Sequence, residues 1–135
     1  MRPTRWAGVL YAFLGLGAVA NGLWMLLQPE HWFARIPGVT DTGPLNTHLV
    51  RDFGACYLLV GALVVGALSR GQLTRATHLW ITLFFSLHAA IHVWELSVGR
   101  MGREHWAVDF PGVFLPVLIL LVLSLPIAWK RRAIT

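Results

Sequence analysis

Charge is scarce in this chain. Charged residues occupy 13% of its 135 positions, against roughly 25% in soluble domains. Hydrophobic residues make up 56%. A soluble domain of this length cannot hide so much apolar surface, which makes the bilayer part of its solvent. Cysteine is nearly absent too. Cys56 stands alone, which excludes an intrachain disulfide and leaves the redox compartment open. The net charge of +5 does not point to nucleic acid, because most Arg and Lys sit at the ends of apolar runs, where they set membrane orientation.

What is present is a series of apolar runs. Trp6 to Leu27 is 22 residues without a charge, and Phe110 to Trp129 is 20. Each matches the roughly 20 residues that a spanning helix needs. Phe53–Leu68 and Leu79–Trp94 are only 16 residues each and must borrow polar neighbours to span. The expected fold is therefore all-α: an integral membrane four-helix bundle in a single domain, residues 1–135. Its helices are placed at about 6–27, 46–68, 76–98 and 110–129 by the run lengths. The start of the chain also has the basic, apolar and Ala18-Val19-Ala20 features of a signal peptide, but the apolar run continues to Leu27, which argues against cleavage.

The basic residues orient the bundle. Arg2 and Arg5, Arg70 and Arg75, and Lys130, Arg131 and Arg132 flank alternate helix ends. The positive-inside rule puts both termini and the middle loop in the cytoplasm. Between the first two helices, the aromatic and charged run Pro29–Pro37 is expected to lie as a short helix in the outer interface.

With that orientation, several helices place polar groups in one leaflet. His48, Arg51 and Asp52 begin the second helix. His88, His92 and Glu95 share one face of the third at i, i+4 and i+7. Asn21 and Gln28 lie on the first, and Asp109 just precedes the fourth. Ionisable groups inside a membrane usually face the bundle interior and mark function. His48, Arg51, Asp52, His88, His92 and Glu95 are thus the candidate catalytic set, with Asn21, Gln28 and Asp109 in support. His78 is expected at the inner interface, and His31 and His105 in solvated loops. Cys56 is expected to pack as a small apolar residue. Gly54, Ala55, Gly61, Ala62 and Gly66 read as a helix-packing surface.

Three chemistries fit the set. Histidine with carboxylates and an arginine suits acid–base isomerisation or hydrolysis of a hydrophobic molecule entering from the outer leaflet, with no cofactor required. His88-x-x-x-His92 with Glu95 offers ligands for zinc or iron. Any of His48, His88 or His92 could be an axial ligand of haem b. A non-catalytic membrane subunit is the remaining alternative. Membrane lipids and a lipophilic small molecule are the expected partners, with self-association left open.

The segment His48-Leu49-Val50-Arg51-Asp52-Phe53-Gly54, continuing through Tyr57-Leu58-Leu59-Val60-Gly61, resembles the small DoxX-like four-helix membrane proteins of bacteria. That resemblance implies a multi-pass protein of the bacterial inner membrane, associated in some members with redox partners. The architecture is also distantly similar to small four-helix membrane isomerases, namely styrene oxide isomerase and the sterol isomerases related to emopamil-binding protein.

Overall fold

A computed structural model describes residues 2–130, so Arg131 and Arg132 lie outside the described residues. It is built from helices α1 (Arg5–Leu27), α2 (Pro29–Arg35), α3 (Thr47–Ser69), α4 (Arg75–Ser97), α5 (His105–Val108) and α6 (Leu115–Leu123). A π-helical turn, Phe110–Phe114, runs directly into α6. Helices α1, α3 and α4, of 23 residues each, are long and apolar enough to cross a membrane, and Phe110–Leu123 is a shorter apolar fourth.

Local chemistry sets the helix limits. Asn46 caps α3 by accepting from the Leu49 amide at 3.1 Å, and Thr74 caps α4 by accepting from Thr77 at 3.2 Å. Gly71 and Gly99, both at positive φ, follow α3 and α4. Pro29 opens α2 directly after α1. The expected helix over 110–129 is shorter than the apolar run. Pro126 forces Leu125 into extended geometry (ψ 147°), so α6 ends at Leu123 and the chain turns.

Helices α1 and α3 pack antiparallel at backbone contact distance. A Cβ on Gly22 would lie 2.5 Å from the Leu58 amide nitrogen and 2.6 Å from the Gly54 carbonyl oxygen. One on Gly61 would lie 2.6 Å from the Val19 nitrogen and 2.7 Å from the Gly15 oxygen. Gly54 and Gly61 are therefore part of a packing surface, whereas Ala55 and Ala62 point outward. Helix α4 pairs with α6 and the π turn. Tyr57 of α3 meets Phe84, Phe85 and His88 of α4 edge-on.

The chain ends close one end of the bundle. Strand β1 (Arg2–Pro3) pairs antiparallel with β2 (Trp129–Lys130), and the Thr4 amide donates to the Ala128 carbonyl at 2.9 Å. Beneath this clasp His78 is 2% exposed rather than interfacial. Ser124 donates its hydroxyl proton to the Leu120 carbonyl at 3.0 Å, so it accepts from His78 Nε2–H at 2.9 Å. His78 Nδ1 is then bare and accepts from the Tyr11 hydroxyl at 2.7 Å. The three groups tie α1, α4 and the end of α6 together with their principal donors used. Tyr11→Phe strands the buried Nδ1 acceptor and is expected to lower stability by about 1–3 kcal/mol. Thermal unfolding in detergent measures it; a wild-type midpoint would remove this triad from the clasp.

Candidate functional site

At the far end, polar groups from three parts of the chain form one run through His105 and Asp109. Helix α5 and the π turn put the carboxylate there: the Asp109 amide bonds back to the His105 carbonyl at 2.9 Å, and its own carbonyl accepts from Val113 at 2.8 Å. One carboxylate oxygen lies 2.9 Å from His92 Nδ1 on α4. The other lies 3.3 Å from His105 Nδ1, four residues back on its own turn. His105 Nε2 in turn faces Asp41 Oδ2 at 3.2 Å, in the 3-10 turn Val39–Thr42. His105 is 1% exposed and Asp109 7%. A loop histidine expected in solvent is thus the most enclosed member of the cluster.

Gly38 makes this enclosure possible. Its φ is +80°, and a Cβ there would lie 2.8 Å from His105 Cε1. Both the backbone conformation and the close approach to the imidazole call for glycine.

The contacts decide where protons sit. Ionised carboxylates only accept. Both Nδ1 atoms facing Asp109 therefore carry hydrogen, and His105 Nε2, facing Asp41, carries one as well. His105 is an imidazolium held between two carboxylates. His92 donates from Nδ1, and in the neutral ring Nε2 is a bare base. That nitrogen makes no hydrogen bond within the described residues, and His92 is 18% exposed. A carboxylate that orients an imidazole with one nitrogen free is the working part of many acid–base sites. The His88 ring lies against His92, centroids 4.8 Å apart, and also meets Tyr57. By contrast, His78 at the clasp has no free nitrogen, which makes it a structural group.

Burial pulls the His105 pKa down, but the hydrogen bond and charge of Asp109, then those of Asp41, outweigh it and hold it above the ordinary 6.5. A raised folded-state value stabilises the protein fully below pH 6.5, and that stability is lost as pH rises through the raised pKa. Asp41 is 62% exposed, so solvent screens its share. The unfolding midpoint is expected to fall across that window in the wild type and to be flatter in His105→Gln. Identical pH profiles would break the link to His105.

The remaining predicted residues lie elsewhere. His48 pairs with Asp52 at 3.4 Å, but the two are 89% and 62% exposed on the outward side of α3. Arg51 is exposed and donates from Nε to the Leu26 carbonyl at 3.3 Å, across the α1–α3 seam. Glu95 is half-buried and makes no ion pair with another described residue. Asn21 accepts from the Trp32 indole at 2.8 Å, pinning α2 to α1, and Gln28 is exposed at the joint between them. The structure therefore joins His88, His92 and Asp109 and leaves His48, Arg51 and Asp52 outside. Asp41 and His105 are the members missed from sequence. His105-x-x-x-Asp109 has the spacing of His48-x-x-x-Asp52 and was visible on that ground.

His88, His92 and Glu95 do not converge as metal ligands: among the described residues no three His, Cys, Asp or Glu side chains are placed to hold a metal ion. An open apolar groove of about 270 Å³, lined by Ala76, Leu79, Trp80 and Leu83, lies toward the clasp end of α4, away from these groups. No protein-family model matches the chain, and neither a curated protein nor a solved structure matches it.

Proposed function

We propose that this is a bacterial inner-membrane protein with both termini in the cytoplasm, and that the Asp109–His92 pair is an acid–base centre acting on a hydrophobic small molecule from the outer leaflet. Three apolar helices of spanning length support the membrane placement. The basic residues at the clasp end support the orientation. The observation that carries the chemistry is a His92 Nε2 with no hydrogen-bond partner among the described residues, on a ring held through Nδ1 by a buried carboxylate. The reaction class that fits best is isomerisation. His92 takes a proton from one atom of the ligand, Asp109 stabilises the imidazolium so formed, and the proton returns to a second atom. No other co-reactant is needed. His88 and Tyr57 form the wall beside it. The ligand's route in this reading is sideways from the lipid, on the side of Asp109 away from His105 and the Gly38 loop packed on it.

The test is proton exchange. Lipophilic molecules that co-purify with the protein are identified by mass spectrometry and incubated with it in deuterated buffer. Deuterium is expected to enter the ligand with wild-type protein, and His92→Gln is expected to abolish incorporation while ligand is still retained. Equal incorporation by His92→Gln overturns the assignment. Orientation has its own check, in a Cys56→Ala background. A cysteine at Arg103 is expected to react with an impermeant thiol reagent from outside the cell, and one at Gln72 only after lysis. The opposite pattern inverts the topology.

A further inference from the structure

The clasp end of the bundle gathers cations and holds no acid. The six acidic residues of the chain, Glu30, Asp41, Asp52, Glu95, Glu104 and Asp109, all belong to the far half or its loops. At the clasp, Arg2 and Lys130 are direct partners across the β1–β2 pair. Like charges directly opposite one another destabilise a strand pair. Arg2 also lies over the α3–α4 turn beside Gly71, and the Arg75 guanidinium stacks over Trp129 at 5.1 Å while donating to the Ser124 carbonyl.

Two helix N-termini add to this field. Both α1 and α4 start here, the first with Arg5 and the second with Arg75, and neither has an acid in its first turn. A helix start is the positive end of its dipole and favours an anion, so arginine there is the wrong sign for the helix alone. Thr4, at the N-cap of α1, gives no side-chain hydrogen bond to the first turn, and its hydroxyl is buried without a partner among the described residues. Among the described residues, Arg70 is the basic side chain here that turns to its own helix end, donating to the Gly66 carbonyl.

We infer that this end binds the phosphate of an anionic phospholipid of the adjoining leaflet, held by Arg2, Lys130 and Arg75. The inference rests on the membrane placement proposed above. The phosphate offsets the like-charge strand pair and the two helix dipoles together, so lipid binding and closure of the chain ends are coupled. Basic residues beside an anionic leaflet each strengthen binding by about fivefold, which three of them turn into a selective site.

The test uses the full chain in nanodiscs of phosphatidylcholine, of equal parts phosphatidylcholine and phosphatidylglycerol, and of phosphatidylcholine with inorganic phosphate in the buffer. Failure to enter any nanodisc would defeat the membrane placement instead. Native mass spectrometry is expected to show phosphatidylglycerol retained over phosphatidylcholine, with retention about fivefold lower in Arg2→Gln. The unfolding midpoint is expected to rise with phosphatidylglycerol. Arg2→Glu and Lys130→Glu each convert the strand pair to opposite charges, and either is expected to remove that rise. Equal retention and equal midpoints with both lipids overturn the site. An equal rise with inorganic phosphate alone overturns the lipid as its source.

Discussion

Replacing Asp109 by alanine is expected to cost about 3–5 kcal/mol of folding stability, because it removes the buried acceptor of two histidines and leaves the buried His105 with only the solvent-exposed Asp41 carboxylate. The carboxylate holds His92 at 2.9 Å and His105 at 3.3 Å on separate oxygens, which joins α4 to the turn that begins the fourth helix. Asp109→Asn separates this structural role from the chemistry. The amide keeps one acceptor oxygen and makes the other position a donor. With its oxygen on His105, the amide nitrogen faces His92 Nδ1, which must give up its hydrogen. The proton moves to Nε2, and the free base is gone. The same change in Ser-His-Asp hydrolases costs about 10⁴-fold in turnover through the wrong tautomer. The asparagine variant is expected to unfold nearer the wild type than the alanine variant does. Its His92 is expected to be protonated at Nε2 by nitrogen NMR, and it should exchange no ligand proton. An alanine variant with a wild-type midpoint, or an asparagine variant with His92 still protonated at Nδ1, would remove Asp109 from the centre of the site.

The two histidine networks divide the molecule by their completeness. At the clasp, Tyr11, His78 and Ser124 pass hydrogen bonds in one direction to the Leu120 carbonyl, and nothing is left over. At the far end, the run Asp41, His105, Asp109, His92 ends on a ring nitrogen with no partner among the described residues. A closed network stabilises; an open one can exchange a proton with a ligand. That difference, more than the number of histidines, is why the proposed site is placed at the far end.

Much of the fold was legible in the sequence. The three long helices follow from uncharged runs, and their ends from Asn46, Thr74, Gly71 and Gly99. The end of the fourth was not, because the run past Pro126 is as apolar as the helix before it. Half of the site was also legible, since His88 and His92 share a helix face and Asp109 adjoins the next helix. His48 and Asp52 looked equivalent, but rotation of α3 turns them away. Gly54 and Gly61 must face α1, and at 3.6 residues per turn Asp52 sits about 160° from Gly54. Arg51, about 60° from Gly54 on that count, reaches the Leu26 carbonyl at the seam. Spacing within a helix shows which residues share a face; the partner glycines on α1 decide where that face points. His105 was hidden for another reason. Its burial depends on a loop some sixty positions earlier folding over it, with Gly38 against the ring.

The α1–α3 seam carries the other large effect. Gly22→Ala and Gly61→Ala are each expected to destabilise the protein by about 1–3 kcal/mol, the usual cost of overpacking a filled interior. The new methyl would meet backbone atoms at 2.5–2.7 Å, and a helix backbone cannot step aside as a flexible side chain can. Relief requires the two helices to separate along their length, which draws Arg51 off the Leu26 carbonyl and opens the packing of Gly15 on Val64. Gly17→Ala is the matched control. It lies in the same helix, with nothing within 4 Å of the added carbon. There the alanine gains about 0.5–1 kcal/mol from helix propensity alone. The double variant Gly22→Ala/Gly61→Ala is expected to cost less than the sum of the singles, since both strain one interface and the first separation relieves part of the second. Unfolding midpoints of the four variants in one detergent decide the matter. If Gly22→Ala and Gly61→Ala behave like Gly17→Ala, the helices are not in backbone contact, and the rotation that turns His48 and Asp52 outward loses its cause.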